Sequence, residues 1–278
     1  MRRIIIIGTA LAVLGGAAVA FATSQFNSYV ATQTFTPNPT GSKAHPKAIT
    51  KTVEDWKAHG NNGMHTAPLT KIVAKIYGQV TNGKDFPTCS ASKINNTGNK
   101  PNNTGWNKAC PKGSLIGQGP VNALFVNPNP PYQSAGTCNP YLYIYNGGPK
   151  TQVFFFTEGT YSPDPSKYTC LGGAVPTGSA PAYNGHISYS GKTWVLTIPL
   201  PPSVSTMAGG NPLYASLQHL HVTYKASIKK NGKTIPYGES VACSNGKRPW
   251  SFQFTAQNYN GKSPHTQTVT KKGSQKCS

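Results

Sequence analysis

Short alternating segments closed by turn residues constrain this chain more than any other feature. Asn231-Gly232 separates Leu217–Lys229 from Thr234–Ala242, and Ser190-Gly191 separates Gly185–Tyr189 from Thr193–Leu200. Asn146-Gly-Gly-Pro149 separates Tyr141–Tyr145 from Gln152–Thr157. Each is a run, a tight turn and a second run, the pattern of a β-hairpin. Within the runs the apolar residues recur every second position: Trp194, Leu196 and Ile198 share one face, as do Trp250, Phe252 and Phe254. Val153–Phe156 is apolar on both faces, which predicts a central strand covered on each side. Further strands are expected in Leu69–Val80, in Ser114–Val126 with a bulge near Gly117–Pro120, and around Ala48–Trp56; Ser203–Ser216 is the one place for a short helix. With 29 Gly and 24 Pro in 278 residues, an all-helical fold is excluded. The expected architecture is all-β: an antiparallel two-sheet sandwich of the jelly-roll or immunoglobulin-like kind, stapled by disulfides. Residues 69–278 form that domain and 23–68 an extended N-terminal segment; two smaller sandwiches split near Pro176–Pro181 are the alternative.

Arg2 and Arg3, the apolar stretch from Ile4 and the small residues before Ala22 read as a secretory signal peptide over residues 1–22, with an uncleaved anchor as the alternative. No second apolar run is long enough to span a bilayer, so no membrane span is expected once the signal is removed. Export agrees with the cysteines. There are six, Cys89, Cys110, Cys138, Cys170, Cys243 and Cys277, with no C-x-x-C pair, which favours structural disulfides over zinc or redox chemistry. Six cysteines allow about 15 connectivities. Pairing in chain order, 89–110, 138–170 and 243–277, is preferred because each bridge then brackets one local segment.

The net charge of +20 comes from 26 Lys+Arg against 6 Asp+Glu. Beyond the signal, Arg248 is the only arginine. Lysine is a hydrated point charge without the planar fork that reads bases, so the surface suits diffuse attraction to a polyanion and not specific nucleic-acid recognition.

Phe86-Pro-Thr-Cys89 followed by Cys110-Pro-Lys-Gly-Ser-Leu-Ile-Gly-Gln-Gly119 resembles a pattern, F-P-x-C then C-P-x-x-S-x-I-G-x-G, of exported actinobacterial β-rich proteins of unknown function. Phe35-Thr-Pro-Asn-Pro-Thr-Gly41 and Tyr145-Asn-Gly-Gly148 are similar to the same group. The resemblance implies a secreted protein with a bridge between Cys89 and Cys110, and it brings no catalytic residues.

Chemistry-bearing constellations are sparse. The carboxylates are Glu54, Asp55, Asp85, Glu158, Asp164 and Glu239, expected at turns and edges. Ser90-Ala-Ser-Lys93 and Ser227-Ile-Lys-Lys230 match S-x-x-K, which works only where the serine opens a helix. His219-Leu-His221 puts two imidazoles on one strand face, the best metal hint, with His186 as a possible third ligand and no acidic neighbour in sequence. Tyr141, Tyr143 and Tyr145 form a stripe that can stack on a sugar face if it is open, or pack under a loop if it is not. No cofactor is expected. The reading is a secreted or cell-surface non-enzymatic protein of the cell envelope, engaging anionic wall polymers or carbohydrate. The alternative is a secreted hydrolase of sugar or ester substrates, which requires Glu158, Glu239 and His219 to converge.

Overall fold

A computed structural model describes residues 26–61, 63–98, 110–127, 133–158, 162–171, 181–201, 206–207, 213–258 and 265–278. The signal peptide assigned to residues 1–22 and all of the division point near Pro176–Pro181 but its last residue lie outside the described residues.

In chain order the strands are β1 (Asn27–Thr36), β2 (Lys47–Ile49), β3 (Lys51–Gly60), β4 (Leu69–Tyr77) and β5 (Gln79–Thr81). Helix α1 (Ala91–Gly98) precedes β6 (Leu115–Val126), β7 (Ser134–Cys138), β8 (Tyr141–Gly148), β9 (Thr151–Thr157) and β10 (Cys170–Leu171). Then come β11 (Tyr183–Ser190), β12 (Thr193–Pro199), β13 (Thr206–Met207), β14 (Leu213–Tyr224), β15 (Ser227–Lys230) and β16 (Lys233–Pro236). The chain ends with β17 (Gly238–Ser240), β18 (Lys247–Asn258) and β19 (His265–Lys276).

The hairpins form where the turn residues predict them. β8 pairs with β9, β11 with β12, and β15 with β16 across Asn231-Gly232, whose φ angles of 52° and 74° are the left-handed pair that a two-residue hairpin turn demands. The last hairpin is shorter than expected: the long run before it breaks at Tyr224 into β14 and β15.

How these pieces assemble departs from the expected sandwich. One antiparallel sheet runs in the order β1-β3-β14-β6-β8-β9-β11-β12-β4-β18-β19, with β7, β10 and β13 attached at its side. It curls into a nearly closed barrel instead of splitting into two facing layers. Parity then sets the seam. Along this path of eleven strands directions alternate, so the first and last run the same way. β1 and β19 meet through side-chain amides. Gln275 Oε1 accepts from Phe35 N (2.7 Å) and its Nε2 donates to Phe35 O (2.9 Å). Eight residues earlier Gln267 does the same to Asn27, accepting from its N–H and donating to its carbonyl at 2.9 Å each. A glutamine amide carries the same donor and acceptor as a peptide group, so each bridges the seam as a peptide would. Strands β1 and β3, from the stretch expected as an extended lead, are thus part of the sheet.

The core fills the barrel. Tyr29 stacks on Phe254 with ring centroids 4.3 Å apart, and Trp56 meets Phe254 edge-on at 5.4 Å. Trp194, Leu196, Ile76 and Phe252 are buried beside them. Gly273 lies opposite Trp250 because an added Cβ would come within 2.2 Å of the indole. A second cluster lies on the outer side of β8 and β9. There Tyr143, Tyr145, Val153 and Phe155 pack with Ile94 and the Cys89–Cys110 bridge, so β9 is covered on both faces, as its apolar run predicts.

Of Ser203–Ser216, where a short helix is expected, the described residues belong to β13 and β14; among the described residues the helix is α1. Ser90 caps it, its Oγ accepting from Lys93 N at 3.2 Å, and Ile94 anchors it in the outer cluster. Its one isoleucine is too little to register as a helical periodicity in the sequence.

All three disulfides pair in chain order: Cys89–Cys110, Cys138–Cys170 and Cys243–Cys277. The F-P-x-C and C-P-x-x-S segments meet at Asn146, which is wholly buried. Its Nδ2 faces the carbonyls of Gly83 (2.9 Å), Phe86 (3.2 Å) and Pro87 (3.1 Å). Its backbone accepts from Cys89 N at 2.9 Å and donates to Ser114 O at 2.7 Å. An added Cβ at Gly117 would press on the Tyr224 ring at 2.8 Å, and one at Gly119 on the backbone of β14. These residues hold the architecture together around one asparagine.

Candidate functional site

The tyrosine stripe faces outward from β8 but is covered. Tyr143 and Tyr145 are buried, and burial pushes the Tyr143 hydroxyl up to about 12 and that of Tyr145 higher still. Tyr141 is half-buried, its ring 5.1 Å from Tyr143 and 4.8 Å from Tyr168. Tyr143 and Tyr145 are thus covered by the cluster around Ile94 and the Cys89–Cys110 bridge, while Tyr141 keeps part of its surface exposed.

His219 and His221 do share one face of β14, and the register brings a third group to them that the sequence reading lacked. His221 stands opposite Asp55 of β3. Asp55 Oδ2 accepts from His221 Nδ1 at 2.8 Å and from His219 Nε2 at 3.1 Å. Partial burial pushes the Asp55 carboxyl up, but the two imidazole hydrogen bonds outweigh it and hold the group below its ordinary range. The three form a partly exposed hydrogen-bonded relay. Among the described residues, the one set of three potential ligands within 4.8 Å of one another is Cys138, Glu158 and Cys170, whose sulfurs are bonded together.

Glu158 and Glu239 do not meet. Glu239 belongs to a small sheet, β2-β17-β5, next to a chamber lined by both Gly238 and Gln152. Glu158 is six residues beyond Gln152, about 20 Å farther along an extended chain. Ser90 of the S-x-x-K match is exposed and engaged as the helix cap, and Ser227 lies in β15.

The site with the most unusual chemistry is that chamber, where the small sheet covers one end of the barrel. Its wall draws Glu54 from β3, Gln79 and Thr81 from β5, Gln152 from β9, Trp194 from β12, and Tyr237, which precedes β17. Its volume is about 20 Å³, enough for one water-sized particle. Glu54 points inward because Thr52, Trp56 and Ala58, at the same parity, form the buried face of β3. Desolvation pushes its carboxyl up to about 8. Gln33 Nε2 donates to Glu54 Oε1 at 3.1 Å, and Gln152 Nε2 donates to the Tyr237 hydroxyl at 3.4 Å. Gln33 Oε1, Gln79 Oε1, Gln152 Oε1 and Trp194 Nε1 are buried without a hydrogen-bond partner. Burial also raises the Tyr224 hydroxyl, to which the nearby Glu54 adds. Glu54 was expected at a turn or edge. The parity it shares with Trp56 is the signal that places it inside, once Trp56 is taken to face the core.

Outside, the charge is one-sided. The described lysines are exposed, apart from half-buried Lys271, and Lys230 with Asp85 (2.8 Å) is the one lysine ion pair among the described residues. Lys75, Ser251 and Lys272 line up across β4, β18 and β19, and Lys247 stands directly opposite Lys276. Arg248 is withdrawn from this surface. It is wholly buried, bonded to Asn38 Oδ1 at 2.7 Å and to the carbonyls of Tyr77 (2.9 Å) and Pro39 (3.2 Å).

Fold and sites together define a disulfide-pinned, nearly closed antiparallel β-barrel with a basic exterior and a capped polar chamber. No family model, curated protein or solved structure matches the chain. The disulfides are compatible with an extracytoplasmic protein, and among the described residues no helix is long and apolar enough to cross a membrane.

Proposed function

We propose that this is a secreted, non-enzymatic protein of the cell envelope that holds to anionic wall polymers through its lysine-covered outer wall. The observation that carries the reading is the unpaired lysine rows. Like charges directly opposite in a ladder destabilise it, yet Lys247 faces Lys276, and Lys75 and Lys272 flank Ser251. A polyanion laid across β4, β18 and β19 relieves that repulsion and releases its counterions. The acidic side chains do little to offset the field: Glu54 and Glu158 are buried, Asp85 pairs with Lys230, and Asp55 is taken up by two histidines. The kinship with exported actinobacterial proteins and the cleaved leader over residues 1–22 belong to the same reading, and the Cys89–Cys110 bridge supports it. Of the two ligands expected, carbohydrate loses support because Tyr143 and Tyr145 are buried, and anionic polymer gains it. The separation of Glu158 from Glu239 weighs against the hydrolase.

Co-sedimentation with isolated cell walls, and titration with soluble polyphosphate, test this. Binding is expected to fall at least tenfold between about 50 mM and 500 mM NaCl, and to fall likewise in K75E/K272E at low salt. Binding indifferent to salt and to the double substitution refutes it.

A further inference from the structure

We propose that the capped chamber is a binding site for one monovalent cation of about the size of potassium or ammonium, which takes the place of the proton on Glu54. The inference is independent of polymer binding on the outer wall. It rests first on the donor set. The wall offers the Glu54 carboxyl and the side-chain oxygens Gln79 Oε1 and Gln152 Oε1, both buried and unpartnered; Gln33, which bonds Glu54 from outside the wall, also has an unpartnered Oε1. Two of these amides have their orientation set by their other end: Gln33 Nε2 is spent on Glu54 and Gln152 Nε2 on Tyr237. Each orphaned buried oxygen costs about 1–3 kcal/mol, so the chamber stores a demand for a positive partner. Hard oxygen donors of this kind suit cations that bind without soft ligands.

Charge and size narrow the occupant. Glu54 is the single ionisable carboxylate on the wall, and no lysine or arginine lines it. Exchanging its proton for a monovalent cation leaves the chamber neutral, whereas a divalent ion would leave an uncompensated buried charge. An anion would find Trp194 Nε1 and the Thr81 hydroxyl as unpartnered donors, but it would also face the amide oxygens of Gln79 and Gln152 and the Glu54 carboxyl. The volume of about 20 Å³ admits one particle the size of a water molecule, which potassium and ammonium both match.

The test uses the full chain, dialysed into choline chloride and then titrated at constant ionic strength and pH 9 with KCl, NH4Cl or NaCl while Tm is followed. A saturable rise of roughly 2–5 °C is expected with potassium or ammonium, smaller at pH 6, where the proton competes, and absent in E54Q. Comparison of the three salts identifies which monovalent ion is preferred. Crystals soaked in thallium(I) acetate should show an anomalous peak beside Glu54 in the unsubstituted protein, a readout that does not depend on how well E54Q folds. A Tm indifferent to the salt, a rise that E54Q retains, or an anomalous map with water alone in the chamber overturns the proposal.

Discussion

Replacing Gln275 by alanine tests whether the barrel is closed by two side chains. Gln275 makes two hydrogen bonds to Phe35, one to its N–H and one to its carbonyl, and Phe35 is 1% exposed. Removing the amide strands a buried donor and a buried acceptor. Each lost net bond is worth about 0.5–1.5 kcal/mol, and the desolvation of an orphaned group can raise this to about 1–3, so Q275A is expected to lose about 2–4 kcal/mol. Gln267, eight residues away, holds the other end of the seam, so if the seam opens as a unit the double substitution should lose less than the sum of the two single losses, because either one already opens it. Urea unfolding gives the stability, and amide hydrogen exchange locates it: the Phe35 N–H should lose protection in Q275A while the Leu196 N–H, far round the barrel, keeps it. Q275E sharpens the comparison. Its carboxylate can still accept from Phe35 N but cannot donate to Phe35 O, so it should fall at least as far as alanine. A loss under about 0.5 kcal/mol, with Phe35 protection unchanged, would refute closure by side-chain amides and leave the sheet as an open one.

Two further expectations follow from buried polar groups. N146D exchanges an amide that faces three carbonyls for a carboxylate that repels them, and should cost about 3 kcal/mol or more by thermal unfolding, with N146A intermediate. For Glu54 the folded pKa of about 8 lies above its ordinary 4.5, so the folded state holds the extra proton between those values. Its contribution to stability is then fully present below about pH 4.5 and lost as pH rises through 8, with a ceiling of about 4–5 kcal/mol. In potassium-free buffer this loss should disappear in E54Q, as measured by urea unfolding across that range; parallel pH profiles for the two proteins would contradict a buried Glu54.

Local pattern alone determined much of this protein. Alternation and turn residues placed the hairpins at β8–β9, β11–β12 and β15–β16, because side-chain parity and positive-φ turns are properties of neighbouring residues. The cysteine pairs followed from their spacing, since each bridge closes a short local segment. What the pattern does not carry is which strand lies beside which. A curled sheet and a split one bury the same alternate residues, so the choice between barrel and sandwich waited on two glutamines near the C-terminus reaching the first strand, across a separation of 240 residues. The two candidate sites have the same origin. Asp55 joins His219 and His221 only because β14 pairs with β3, and Glu54 gains its chamber only when segments from all three thirds of the chain are wrapped around it. A short-range code specifies each strand's faces; the long-range ladder decides which polar groups those faces enclose and whether water can reach them.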